Sequence, residues 1–226
     1  MAPGTGRTRT TRGYKGIAME GLIATWYARN TRSRIGEQKA LAERIAARVP
    51  RGGRVLEIAP GPGYLSIELA KLGTCRGSAL DISRTFVEIE QKNARAAGVE
   101  VDFRHGDATT MPFDADTFDC AVCVAAFKNF TRPRQVIEEL YRVLKRGGTA
   151  LIVDLRRDAS LEDIDAEVER MHLNRVNAFF TRGAFRGMLL KSAYTRAEIE
   201  ELVASTSFSV CEIKNDNIGM EIALTK

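Results

Sequence analysis

The sequence predicts an α/β fold: a doubly wound, mostly parallel seven-stranded sheet that ends in an antiparallel hairpin, with helices on both faces. Three observations predict it. Short apolar runs alternate with helix-length amphipathic stretches between residues 54 and 155, the pattern of a parallel sheet covered on both sides. A glycine-bearing turn, "APGPG" at 59–63, lies between the first apolar run and the helix after it. Two final segments, 208–214 and 219–226, are joined by the short "NDN", as in a hairpin.

Residues 17–31 and 34–49 read as helices, the second with Leu41, Ile45 and Val49 at helical spacing. "RVLEIA" (54–59) is a buried strand and 64–72 a helix. "GSALD" (77–81) is a second strand, after which Ser83 caps a helix to residue 96. "VDF" (101–103) and "DCAVCVAA" (119–126) are the third and fourth strands. The stretch 132–148 reads as a helix with Pro133 in its first turn and Gly147 after its end. Val136, Leu140, Val143 and Leu144 form its apolar stripe. "TALIVDL" (149–155) is the fifth strand. Residues 156–194 break the alternation and read as one or two helices rich in Arg, Phe and Met. Thr195 and Glu198 form a capping box for a helix over 196–205. The expected organisation is a disordered basic tail (1–16) and one domain (17–226), with a helical cap at 17–49 and a helical insertion at 156–194 over the site.

Composition narrows the function. Hydrophobic residues are 44% and charged residues 28% of the 226, a soluble balance, and no apolar run approaches the roughly 20 residues of a membrane span. Of the net charge of +5, the first 16 residues supply four basic groups and no acid, leaving 30 basic against 29 acidic. That remainder lacks the basic excess of nucleic-acid readers. Cys120 and Cys123 have C-x-x-C spacing but sit on a strand, where residues three apart face opposite sides. They read as core thiols, without a metal or redox role, in a cytoplasmic protein.

The glycine turn suits close approach of a ligand to backbone N–H groups, or is a strand-to-helix turn that simply needs glycine. Ser66 stands where a dinucleotide fingerprint needs its third glycine, and no G-K-[ST] follows. Glu57, closing the first strand, would repel a pyrophosphate and suit an ammonium or sulfonium ligand.

"EIAPGPG" resembles the E-x-G-x-G-x-G motif of class I S-adenosylmethionine-dependent methyltransferases, with Ala59 replacing the first glycine. "GDATTMPF" (106–113), "FDCAVCVAAFKNF" and "ELYRVLKRGG" resemble later motifs of that family in order, the last with Arg146 in place of proline. In style the chain is similar to the small-molecule methyltransferases of ubiquinone and menaquinone biosynthesis. The resemblance implies a Rossmann-like sheet and S-adenosylmethionine as cofactor, with S-adenosylhomocysteine as product and no metal. It implies cofactor contacts from Glu57, Ala59, Gly61, Pro62, Gly63, Gly106, Ala108 and Ala125, and from Tyr27 closing over the ligand. Asp81 would hold the ribose hydroxyls, Ile82 would pack on the adenine, and Asp107 would meet its amino group.

The acceptor is expected to be a small molecule, bound between residues 19–32, the turn "AAFKNF" (125–130) and the insertion. Trp26, Phe127, Phe130, Met171 and Tyr194 are candidates for its lining, with Phe179 and Phe180 among further rings there. Lys128 and Asn129, just past the fourth strand, are candidates for binding or orienting it, and His172 for a base. Glu20, Asn174, Asn177 and Lys191 are further polar candidates. No N-P-P-Y or D-P-P-Y run follows the fourth strand, which counts against base methylation of nucleic acid. Asp154 and Asp158 alone do not make a catechol-type metal site, and arsenic methylation would need converging thiols where only Cys123 is expected near the rim. Two other classes stay open: a catalytically silent binder of the same cofactor, and a nicotinamide oxidoreductase. A monomer or homodimer is expected.

Overall fold

The computed structural model describes residues 14–15, 19–32, 35–171 and 174–226. Seven strands form one sheet in the order β3-β2-β1-β4-β5-β7-β6. β1 (Arg54–Ile58), β2 (Arg76–Asp81), β3 (Asp102–His105), β4 (Phe118–Val124) and β5 (Leu144–Leu155) run parallel. β7 (Gly219–Thr225) lies antiparallel between β5 and β6 (Val210–Asp216). The expected seven-stranded architecture with its terminal hairpin is therefore the observed one.

The sheet separates two cores. Val55, Cys120, Val122 and Leu151 pack against α2 (Ile35–Ala46) and α3 (Tyr64–Leu72). Leu56, Ala121, Cys123 and Ile152 face the other way, against α5 (Pro133–Val143) and α8 (Arg196–Ala204). The two cysteines thus fall on opposite faces, as strand alternation requires, and all four cysteines are free thiols. In α5, Val136, Ile137, Leu140 and Val143 are at most 1% exposed. At about 1.5–3 kcal/mol per buried side chain, this stripe is a main anchor of its face.

Several boundaries differ from the sequence reading. The helix expected over 132–148 ends at Val143, because Leu144 is already extended and pairs with Phe118. β5 therefore begins at Leu144 and bulges, with Gly147 at φ 76 inside the bulge. A glycine there serves a strand irregularity as well as it would serve a helix end. β4 stops at Val124, since Ala125 leaves it at φ 55. In the hairpin, Asn215 and Asp216 still pair with Met220 and Gly219, so the turn is only Asn217–Ile218. The first helix, α1, spans Gly21–Thr31, and α4 spans Arg84–Ala97 with the expected Ser83 cap.

The insertion contains α6 (Leu161–Arg170) and α7 (Arg175–Ala184), the latter followed by a π-helical turn at Phe185–Leu189. Ile164, Val168, Phe185 and Leu190 root it on Ile218 of the hairpin turn. Tyr14 and Lys15, within the stretch expected to be a disordered tail, contact the domain: Tyr14 forms an antiparallel bridge to Phe130, and the Lys15 amide donates to the Asn129 carbonyl at 2.6 Å.

Candidate functional site

The strand order reverses direction between β1 and β4, and ligands of doubly wound sheets bind beyond the carboxyl ends of strands at such a point. Both strands leave the sheet there through an alanine in left-handed conformation, Ala59 at φ 53 and Ala125 at φ 55. An L-residue there costs about 1–2 kcal/mol, strain of the kind that accumulates at functional sites. Ala59 thus keeps the conformation that a glycine would adopt freely. Gly61 and Gly63 follow at φ 58 and 76. A Cβ on Gly63 would also come within 3.0 Å of Glu90 Cγ, so this position needs glycine for space as well as for backbone.

Two buried acids flank the turn. Glu57 is 4% exposed and accepts a hydrogen bond from the Ser66 hydroxyl. Burial, together with nearby Asp81, pushes its carboxyl up to about 7 against the relief from Ser66. Ser66, read from sequence only as a broken fingerprint, is thus the partner that orients Glu57. Asp81 is 5% exposed; it accepts from the Gly61 amide at 3.2 Å and the Ser83 amide at 2.8 Å. Burial pushes it up to about 6, opposed by those two amides and that of Ile82. A carboxylate has about four acceptor positions, so among the described residues both acids keep acceptors to spare in a desolvated place. A cationic or hydroxyl-bearing ligand would supply the missing partners.

A third acid was not singled out in the sequence. Glu90 of α4 is 0% exposed, and neither carboxyl oxygen has a hydrogen-bond partner among the described residues. Burial, with Asp81 and Glu57 nearby, raises it to about 10, so it is neutral at pH 7. Its signal in the sequence was slight: Phe86, Glu90 and Ala94 make the buried face of an otherwise charged helix.

The remaining expected cofactor positions gather on the same rim. Ile82 is half-buried, with its carbonyl 3.1 Å from the His105 ring. The Gly106 amide donates to the Asp81 carbonyl at 2.9 Å, and Ala108 is buried. Asp107 accepts from the Thr109 amide and hydroxyl at 2.8 and 2.7 Å. Buried Pro62 accepts at its carbonyl from Asn93 at 3.0 Å. The Tyr27 ring packs edge-on to Phe86 at 6.0 Å and lies over Gly61. Glu20, an expected acceptor ligand, instead receives the Arg84 and Thr85 amides at 3.0 and 3.1 Å and docks α1 on the start of α4.

Across the rim the polar groups satisfy one another. Lys128 Nζ donates to Asp154 at 2.8 Å and to the Ala125 carbonyl at 3.0 Å. Asp154 also accepts from the Lys128 amide at 2.9 Å and the Leu155 amide at 2.8 Å. The lysine expected to be free for an anion is therefore already neutralised, with one N–H left over. Phe127 and Phe130, expected to line a pocket, are 1% and 6% exposed and belong to the main core, where apolar contacts on all sides take them up. Trp26 is 65% exposed and Met171 38%, so neither lines an enclosed pocket. Asn174 caps α7 by accepting from the Asn177 amide at 2.9 Å. His172 lies outside the described residues.

Tyr14 and Lys15 are site neighbours that the sequence reading missed. The Tyr14 phenol is pushed up by burial and by Tyr27, Asp81 and Asp154. Lys15 Nζ lies 3.4 Å from the Tyr194 hydroxyl and 5.6 Å from its ring centre, and Tyr194 in turn packs 5.8 Å from Phe127. No signal marked these residues, because they lie in a low-complexity basic stretch.

The sheet order, with β7 antiparallel, is the fold shared by class I S-adenosylmethionine-dependent methyltransferases. Residues 56–152 match the family described as methyltransferase domain. The demethylmenaquinone methyltransferase of Clavibacter sepedonicus is 39% identical over 104 residues, covering 46% of this chain and 41% of that protein. The ubiquinone/menaquinone biosynthesis C-methyltransferase UbiE of Blochmanniella floridana is 36% identical over 110 residues, 47% of this chain and 43% of that protein. The match therefore spans less than half the length of these relatives. In structure, a Methanococcus maripaludis protein assigned as an S-adenosyl-L-methionine-dependent methyltransferase superposes with a TM-score of 0.69 at 24% identity, over 90% of this chain and 92% of that one.

Proposed function

We propose that this protein transfers a methyl group from S-adenosylmethionine to a small organic acceptor of aromatic, quinol-like class. The observation that carries the reading is the pair of buried strand-end acids, Glu57 and Asp81, around a glycine turn, both holding unspent acceptors. Asp81 would bind the ribose hydroxyls, Ile82 and Asp107 the adenine, and Glu57 with the turn 59–63 the charged methionine end. Gly106, Ala108 and Ala125 would complete the wall, and Tyr27 would cover it. The cofactor supplies an electrophilic methyl whose bond to sulfur breaks as the bond to the acceptor forms, the sulfur keeping the electron pair.

The chain's own task is then orientation and exclusion of water. Lys128, fixed by Asp154, would hold the post-β4 turn, and its remaining N–H would face the acceptor. Asn129 offers an amide beside it. Tyr194 suits an aromatic acceptor, because its ring packs 5.8 Å from Phe127 of this turn. The likeness to quinone methyltransferases supports the acceptor class, and the cytoplasm is the setting we assign.

The test is release of S-adenosylhomocysteine with reduced benzoquinones and naphthoquinones, with and without prenyl chains, against catechols, amines and thiols. Turnover confined to the quinols is expected. Turnover with amines alone would overturn the acceptor class, and no cofactor binding at all would overturn the activity.

A further inference from the structure

The net charge of +5 conceals a strong division. Residues 1–36 carry seven basic groups and one acid, and residues 170–197 carry six basic groups and no acid. The rest of the chain carries 21 basic groups against 28 acidic, so the body is negative and the two segments are strongly positive. The described parts of both segments are mounted on the same rim. α1 is docked there through Glu20 on α4 and Tyr27 over Gly61. The insertion follows β5, and Arg156 bridges to Tyr194, which Lys15 reaches.

The same two segments hold most of the exposed apolar side chains. Of the ten large hydrophobics exposed among the described residues, eight lie in them, four in α1 and four between Met171 and Leu189, Leu161 and Val210 being the others. α1 shows Leu22 at 88% and Trp26 at 65% exposure; α7 shows Phe179 at 72% and Phe180 at 68%. Among the residues of α7 whose burial is described, none is fully buried. Around it Arg175, Arg186 and Lys191 are exposed and make no ion pair among the described residues.

We infer that the α1 and α7 faces form a docking surface for an anionic lipid bilayer. Exposed Phe, Trp and Leu interleaved with Arg are the composition of helices that lie in a membrane interface. The rings and aliphatic side chains enter the headgroup boundary, and the cations meet anionic headgroups. Nucleic acid would use the cations and could stack on the rings, but it offers nothing to Leu22, Ile23 or Leu189. The bilayer accounts for both features, and the inference stands apart from the methyl-transfer reading.

The experiment is co-sedimentation of the 226-residue chain with vesicles of pure phosphatidylcholine and of phosphatidylcholine doped with phosphatidylglycerol. Binding should be strong only to the doped vesicles and should weaken as salt rises. R175Q/R186Q should reduce it roughly tenfold or more, since each interfacial cation contributes about fivefold. F179S/F180S should reduce it by a similar factor at low and high salt alike. All four positions are exposed, and unchanged thermal melting would show that the variants fold. Equal sedimentation with and without vesicles would overturn the inference. So would binding insensitive to F179S/F180S, or preference for RNA over doped vesicles when the two compete.

Discussion

The two halves of the rim handle buried charge in opposite ways. On the β1–β2 side, Glu57, Asp81 and Glu90 are buried acids with few partners, and burial raises all three. On the β4–β5 side, Asp154 is equally buried but is matched by Lys128 and two backbone amides. An acid that is desolvated and under-partnered favours binding a ligand that completes it; one that is matched holds the chain in shape. The first half is built to receive a polar cationic molecule, the second to keep a turn fixed beside it.

The largest change should come from the matched side. Lys128→Ala leaves Asp154 buried beside its amides without a counter-charge, costing about 3 kcal/mol or more of stability. Turnover should fall well before cofactor affinity does, as chemical denaturation and calorimetry on the same variant would show. Equal loss of turnover and affinity would place Lys128 among the cofactor contacts.

On the other side, Asp81→Ala should weaken S-adenosylhomocysteine binding about 100-fold, the effect of losing two charge-assisted hydrogen bonds. An unchanged dissociation constant would mean that the ribose is held elsewhere.

Glu90→Gln should act in the opposite sense and stabilise the ligand-free protein by about 1–3 kcal/mol near pH 8. The sign follows from linkage. An acid raised by folding keeps a proton that the unfolded chain releases, so stability is full below its ordinary pKa and is lost as pH rises towards the folded value. For Glu57 and Asp81 the loss runs from about 4 to about 7, and for Glu90 it continues to about 10. Melting temperature should therefore fall between about pH 5 and about pH 8, with a shallower slope in the glutamine variant. A melting temperature that rises over this range would contradict the burial of these acids.

The smallest effect should be that of Ala59→Gly. Relief of left-handed strain, less the entropy of an added glycine, leaves about 0.5–1 kcal/mol of stabilisation. A destabilised variant would mean that the methyl group of Ala59 packs more than it strains.

The contrast also explains what the sequence could disclose. Glu57, Asp81 and the glycine turn stand at strand ends, and local periodicity together with a short motif was enough to find them. Lys128 was found by the same logic, but its state depends on Asp154, 26 residues away on a neighbouring strand. Phe127 and Phe130 were misjudged because an aromatic run looks the same whether its rings face a pocket or a core. Tyr14 and Lys15 were invisible, since an isolated β-bridge leaves no periodic trace. Glu90 had no signal beyond its place on a helix face that folding buries.

If the under-partnered acids form a cationic-nucleoside site, calorimetry with S-adenosylmethionine, S-adenosylhomocysteine and NAD at a series of pH values should show binding of both sulfur ligands, with affinity rising as Glu57 and Asp81 ionise between about pH 5 and about pH 8, and no heat from NAD. Binding of NAD with no response to either sulfur ligand would contradict it.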